Sequence, residues 1–100
     1  MLYVIFGEDI PNSMDKRTAA RPAHLARVEE LFDAGKMVLA GPLPNIDSPD
    51  PGPAGMGGSL LVAEFESLDA ARAWINDDPY VTQGVFTRVT VWPFKQVYPA

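Results

Sequence analysis

A lone histidine, His24, and an aspartate held just before a proline, Asp78, are the residues of this sequence best suited to moving a proton. An imidazole gains and loses a proton near neutrality, and a carboxylate bonded to one ring nitrogen fixes which nitrogen carries hydrogen, leaving the other as a base. A residue before proline is steered away from helical geometry. Asp78, which precedes Pro79, is therefore expected to be extended and to stand off the end of the segment Leu68 to Asn76 with its carboxylate aimed at His24. Two plainer readings stay open. Asn76-Asp77-Asp78-Pro79-Tyr80 also fits a helix stop with solvated acids, and His24 also fits a structural histidine satisfied by a backbone carbonyl or by Asp78.

His24 precedes Val28 by four positions and Leu31 by seven, so on a helix it shares their inward stripe. Arg21 and Arg17 continue that line towards the N-terminus. A stripe that begins basic, passes through one imidazole and becomes core is expected where a helix end walls a pocket. Arg21, together with Arg17, is assigned to an anionic or enolate oxygen, while Ser59 and Tyr80 shape the pocket. Ser59 also reads as the first residue of a strand.

Other chemistries lack their parts. With no cysteine there is no thiolate nucleophile, disulfide or cysteine-ligated metal. Ser59 follows Gly57-Gly58 but has no Gly-x-Ser-x-Gly elbow around it. One histidine with Asp77 or Asp78 falls short of the ligand set that zinc or iron needs. Gly55-Met56-Gly57-Gly58 neither follows a strand nor opens a helix, as a phosphate loop must. No metal and no cofactor are expected.

The elements that position these residues belong to a chain of 100 residues, sized for one domain over 1–100. It is 47% hydrophobic and 21% charged, with a net charge of -5, and so is apolar enough to fold. An acidic chain does not suit nucleic acid or an anionic membrane, both of which call for clustered Lys and Arg. A small-molecule ligand fits better. The apolar start Met1 to Phe6 reads as a strand rather than a leader or membrane span, and a cytoplasmic location is expected.

Leu2 to Phe6 is apolar on both faces and reads as a covered strand. Met14 to Ala34 is helical, in two pieces because Pro22 suits a first turn, with Leu25, Val28, Leu31 and Phe32 buried and Gly35 as a left-handed cap. A strand over Met37 to Gly41 leads into Pro42 to Ser59, a long Pro/Gly loop with its centre at 44–57, expected either to wall a pocket or to be poorly ordered. Ser59 to Glu66 alternates as a third strand, Ser67 caps a helix bearing Leu68, Ala71, Trp74 and Ile75, and Val85 to Phe94 is a long fourth strand.

The order βαββαβ predicts a ferredoxin-like α+β fold, an antiparallel four-stranded sheet with both helices on one face. Phe86, Trp92 and Phe94 fall on one side of the last strand, giving the uncovered face more apolar surface than a monomer tolerates. A homodimer through the sheet faces is expected.

Arg21-Pro22-Ala23-His24-Leu25, Gly35, Ala40-Gly41-Pro42-Leu43, Gly58-Ser59, Asp78-Pro79-Tyr80 and Val91-Trp92-Pro93-Phe94, taken together, resemble the YciI-like (YCII-related) family across nearly the whole chain. The resemblance implies a dimeric α/β-barrel assembly and a His-Asp active site that falls on His24 and Asp78. One branch of that family contains a dehydrochlorinase of a chlorinated hydroxyquinol, and muconolactone-isomerase-like enzymes share the wider fold. Cofactor-free acid-base chemistry on a small, cyclic or aromatic metabolite is implied. A non-catalytic dimer that binds a metabolite or a protein partner, with the pair as a polar staple, is the alternative.

Overall fold

Alternation along the first strand separates the two faces of the sheet. In the computed structural model, which covers residues 1–100, β1 spans Leu2–Asp9. Its residues Tyr3 and Ile5 are buried, while Leu2, Val4 and Phe6 between them keep partial exposure. Successive side chains of a strand leave opposite faces, so the first set meets the helices and the second the open side. β1 pairs antiparallel with β3 (Met56–Glu64) and with β4 (Phe86–Phe94), and β2 (Met37–Pro44) pairs with β3 beyond it. The strand order is β2-β3-β1-β4. With α1 (Met14–Asp33) between β1 and β2 and α2 (Leu68–Asn76) between β3 and β4, the chain has the ferredoxin-like α+β fold expected from its sequence.

Register brings the core together. Ile5 lies opposite Leu61 on one side and Val91 on the other, and Tyr3 opposite Ala63, so these side chains form one layer under the helices. Leu31 from α1 and Ala71 and Ile75 from α2 close that layer from above. Ser67 accepts a hydrogen bond from the Ala70 backbone N–H at 3.0 Å, the N-cap its position suggests. At the far end of α1, Gly35 takes a φ of +72°, and the Lys36 N–H returns to the Leu31 carbonyl at 2.9 Å.

Three expectations need correction. The first helix is continuous through Pro22. A proline there leaves the Thr18 carbonyl without its helical partner, but both residues are exposed, where solvent can replace the missing bond. Of its expected buried stripe only Leu31 is fully covered. Val28 is half-buried, Leu25 borders a cavity, and Phe32, a helical step of about 100° from Leu31, is 69% exposed. The Pro/Gly loop is also shorter than its composition suggests, because β2 continues to Pro44 and β3 begins at Met56, its partner in register. Strand β2 is at the edge of the sheet, where Pro42 and Pro44 can sit without breaking a ladder that needs their N–H. The remainder closes on itself. Asn45 donates from its side chain to the Ala54 carbonyl at 2.8 Å and from its backbone to Gly55 at 3.0 Å, around one 3₁₀ turn at Gly52–Ala54.

The face away from the helices is open. Trp92 is 64% exposed there, in register with Val4, and Leu39 lies opposite Val62 on the same side. No helix is long and apolar enough to cross a membrane.

Candidate functional site

The end of α2 is built to place one carboxylate. Asp77 closes the helix, and Asp78 follows with φ -72° and ψ 142°, the extended geometry that Pro79 imposes. Pro79 then opens a four-residue helix, α3 (Pro79–Thr82), too short to carry a periodic signal in the sequence. Asp78 caps it, accepting from the Tyr80 N–H at 3.0 Å. Its side chain is fully buried and takes two further donors: His24 Nδ1 at 2.8 Å from Oδ2, and Arg27 Nη1 at 2.9 Å from Oδ1. Three donors around one acceptor group are the surroundings of a carboxylate, and such a group only accepts. Nδ1 of His24 therefore carries the hydrogen, and Nε2 is the ring nitrogen left for chemistry.

The imidazole is held in a second dimension by Tyr80, on which it stacks with centroids 4.0 Å apart and 10° between the planes. Tyr80 is itself buried, edge-on to Phe86 at 5.5 Å and with the Arg17 guanidinium carbon 5.0 Å from its ring centre. Burial pushes the Tyr80 phenol above its ordinary pKa, and the nearby Arg17 and Arg21 only partly oppose that rise. The phenol is a neutral donor at physiological pH.

Arg17 was expected to face a ligand, but its fork is largely spent inside the protein. Its Nε and Nη2 both donate to Asp9, the latter at 2.9 Å to Oδ1, and Nη2 also reaches the Gly58 carbonyl at 2.7 Å and Ser59 Oγ at 2.9 Å. The Asp9 side chain is 1% exposed and accepts from Ser13 as well. Arg21, one turn before His24, is exposed and has no carboxylate within ion-pair distance among the contacts of the chain.

These residues meet around a cavity of about 360 Å³ between the first half of α1 and the sheet. Arg17, Arg21, His24, Ser59 and Tyr80 all line it, and Asp78 stands behind the imidazole. The rest of the wall is mainly apolar, including Ile5, Met14 and Leu25. Phe86 lies so close over Gly7 that any Cβ there would collide with its ring, which makes Gly7 part of the floor. The volume suits one small ring compound. No group of three or more His, Cys, Asp or Glu residues comes together as a metal site would require.

Two partners went unread in the sequence. Arg27 lies three residues after His24, on the same helix face, and that spacing was a usable signal; its guanidinium carbon also sits 4.4 Å over the Trp74 ring. Asp9 continues the inward alternation of Tyr3, Ile5 and Gly7, but a register shift between Glu8 and Asp9 breaks the strand pattern there.

Comparison with known proteins gives a consistent relationship. The sequence profile of the YCII-related domain matches residues 1–95. Over 98 residues the chain is 55% identical to Protein YciI of Escherichia coli O6:H1, covering 98% of this chain and all of the relative. It is 49% identical, over the same shares, to an uncharacterized protein of Haemophilus influenzae. Among solved structures it is similar to 5-chloro-2-hydroxyhydroquinone dehydrochlorinase (TftG) from Burkholderia phenoliruptrix, in complex with 2,5-dihydroxybenzoquinone. That similarity has a TM-score of 0.82 and 31% identity, over 95% of this chain and 94% of the other. A profile match over almost every residue, joined to full-length relatives near half identity, shows that the chain belongs to the YCII-related family.

Proposed function

We propose that the chain is a cofactor-independent acid-base enzyme acting on a small cyclic or aromatic metabolite, with His24 as the proton-transfer group and Asp78 as its orienting partner. The observation that carries this reading is the 2.8 Å bond from His24 Nδ1 to a fully buried carboxylate, on the wall of a cavity sized for one ring. It leaves Nε2 free. In an elimination on the keto tautomer of a hydroxylated ring, where the carbon bearing the leaving group is tetrahedral, Nε2 takes a proton from a carbon or hydroxyl conjugated with the carbonyl, the released electron pair forms the new π bond, and the leaving anion departs with the pair of its own bond. In an isomerisation the imidazolium returns the proton to a different carbon. Asp78 stabilises the imidazolium in both cases. The related dehydrochlorinase acts on a chlorinated hydroxyquinol, which supports the elimination branch and the single-ring substrate class.

The test is chloride release from 5-chloro-2-hydroxyhydroquinone, alongside a panel of halogenated and lactone ring compounds. His24→Ala and Asp78→Asn are expected to lower turnover by about 10²- to 10⁴-fold while the chain remains folded. Undiminished turnover by His24→Ala would remove the proposal.

A second reading rests on the number of bonds Asp78 makes. A buried acid that caps α3, pairs with Arg27 and bonds His24 also serves as a staple in a non-catalytic binding module. Binding without turnover, combined with a lower melting temperature as the main effect of Asp78→Asn, would favour it.

We also assign the open sheet face to a second copy of this chain. Leu39, Leu43, Trp92 and Phe94 are exposed on it next to half-buried Val4 and Phe6. A continuous apolar face of that kind is self-complementary across a two-fold axis, two sheets packing face to face.

A further inference from the structure

Ser59 lines the cavity with a hydroxyl whose bonding is only half used. Its oxygen shares the two hydrogens of Arg17 Nη2, 2.9 Å away, with Asp9 and the Gly58 carbonyl, and it makes no hydrogen bond as a donor to any protein group. A serine hydroxyl has one hydrogen to give, and here that hydrogen belongs to a residue lining the cavity. Accepting from a guanidinium polarises the O–H bond and makes the hydroxyl a stronger donor. Arg17 cannot drift from this task. Its remaining bonds, to Asp9 and the Gly58 carbonyl, lock the guanidinium in place, and its own side chain is 7% exposed.

The charge balance points the same way. Asp9 compensates Arg17 and Asp78 compensates Arg27, so the uncompensated cation bordering the cavity is Arg21. Tyr80 adds a phenol that burial keeps protonated. The cavity therefore presents donors and one free positive charge, with a base in the same wall.

We infer that Ser59, with Arg17 as its positioning residue, donates its hydroxyl hydrogen to a negatively charged oxygen of the bound ring, so that the cavity selects enolates, phenolates and hydroxyquinone anions over neutral rings of the same size. This rests on the acid-base reading for its catalytic meaning: the oxygen that turns negative as His24 withdraws a proton is the one Ser59 holds. The selectivity itself is a binding property and stands apart from turnover.

Calorimetric titration of the folded chain with 2,5-dihydroxybenzoquinone, an anion at neutral pH, and with hydroquinone, which is neutral there, tests it. The parent protein is expected to bind the anion at least tenfold more tightly. Ser59→Ala should weaken anion binding about 10- to 100-fold, the range for a hydrogen bond to a charged group, and change hydroquinone binding less than twofold. Circular dichroism checks that the variant is folded, and Ser59→Thr, which retains the hydroxyl, should recover part of the preference. Equal affinity for the two rings in the parent, no binding of the anion, or an unchanged preference in Ser59→Ala overturns the inference. His24→Ala should keep the preference even where it abolishes turnover, so loss of the acid-base reading alone would leave this result intact.

Discussion

The imidazole of His24 lies flat on the phenol of Tyr80, 4.0 Å between centroids, while its Nδ1 is bonded to Asp78 at 2.8 Å. One contact fixes the tilt of the ring and the other its rotation. Both come from the same five-residue stretch, since Asp78 caps the short helix on which Tyr80 sits. Position and tautomer of the imidazole are thus set by a single local structure.

Tyr80 gives a pH dependence of known sign. Its phenol has a raised pKa in the folded chain, mainly through burial. A group whose folded value lies above its unfolded value, about 10 for tyrosine, contributes stability that is complete below that value. The contribution is lost as pH rises through the folded one. Urea unfolding across the alkaline range should show the parent losing stability from about pH 10 upward. Tyr80→Phe, which keeps the ring against His24, should show a smaller loss. Parallel curves for the two would mean that the phenol is not held neutral by the fold.

The tautomer of His24 can be read directly, because it is the only histidine in the chain. Nitrogen NMR of the ring should find hydrogen on Nδ1 in the neutral form, and Asp78→Ala should turn this into a mixture of the two tautomers. The same variant strands the Arg27 guanidinium and the Tyr80 N–H. Its expected cost is about 3 kcal/mol, the low end for a broken buried pair, because Arg27 is partly exposed and keeps its place over Trp74. A parent ring with hydrogen on Nε2 would contradict the assignment of the free base nitrogen.

Trp92 tests the assembly. It is 64% exposed on the edge strand β4, on the open face of the sheet and in register with Val4. Trp92→Glu should convert a dimer into monomers under light scattering at micromolar concentration, with helix and strand content retained. A variant that keeps the mass of two chains would move the interface to another surface, and a monomeric parent would remove the proposed pairing.

The unbroken apolar run Leu2 to Phe6, the alternation of Ser59 to Glu66, the helical spacing around Leu31 and Ala71, and the cap residues Gly35 and Ser67 are local signals, and they were enough to write the fold from the sequence. Each depends on neighbours within a few residues, where backbone geometry dictates which side chains share a face. The proximity of His24 and Asp78 was legible for a related reason: Pro79 restricts Asp78, and helix spacing places His24 on the inward stripe. Pro22 shows the limit of such reasoning, since α1 runs unbroken from Met14 to Asp33 and carries it on the exposed side of the helix.

Only the tertiary structure could assign the charges. The sequence presents Arg17 and Arg21 four residues apart and Arg27 three residues after His24 on one helix, but the carboxylates that pair with Arg17 and Arg27 lie outside that helix. Coulomb and hydrogen-bond partners come from Asp9 on β1, Asp78 before α3 and Ser59 on β3, segments brought together by folding. Those long-range pairings consume Arg17 and Arg27 and leave Arg21 open, which is why the periodicity of the chain determined the cavity wall and the fold determined its chemistry.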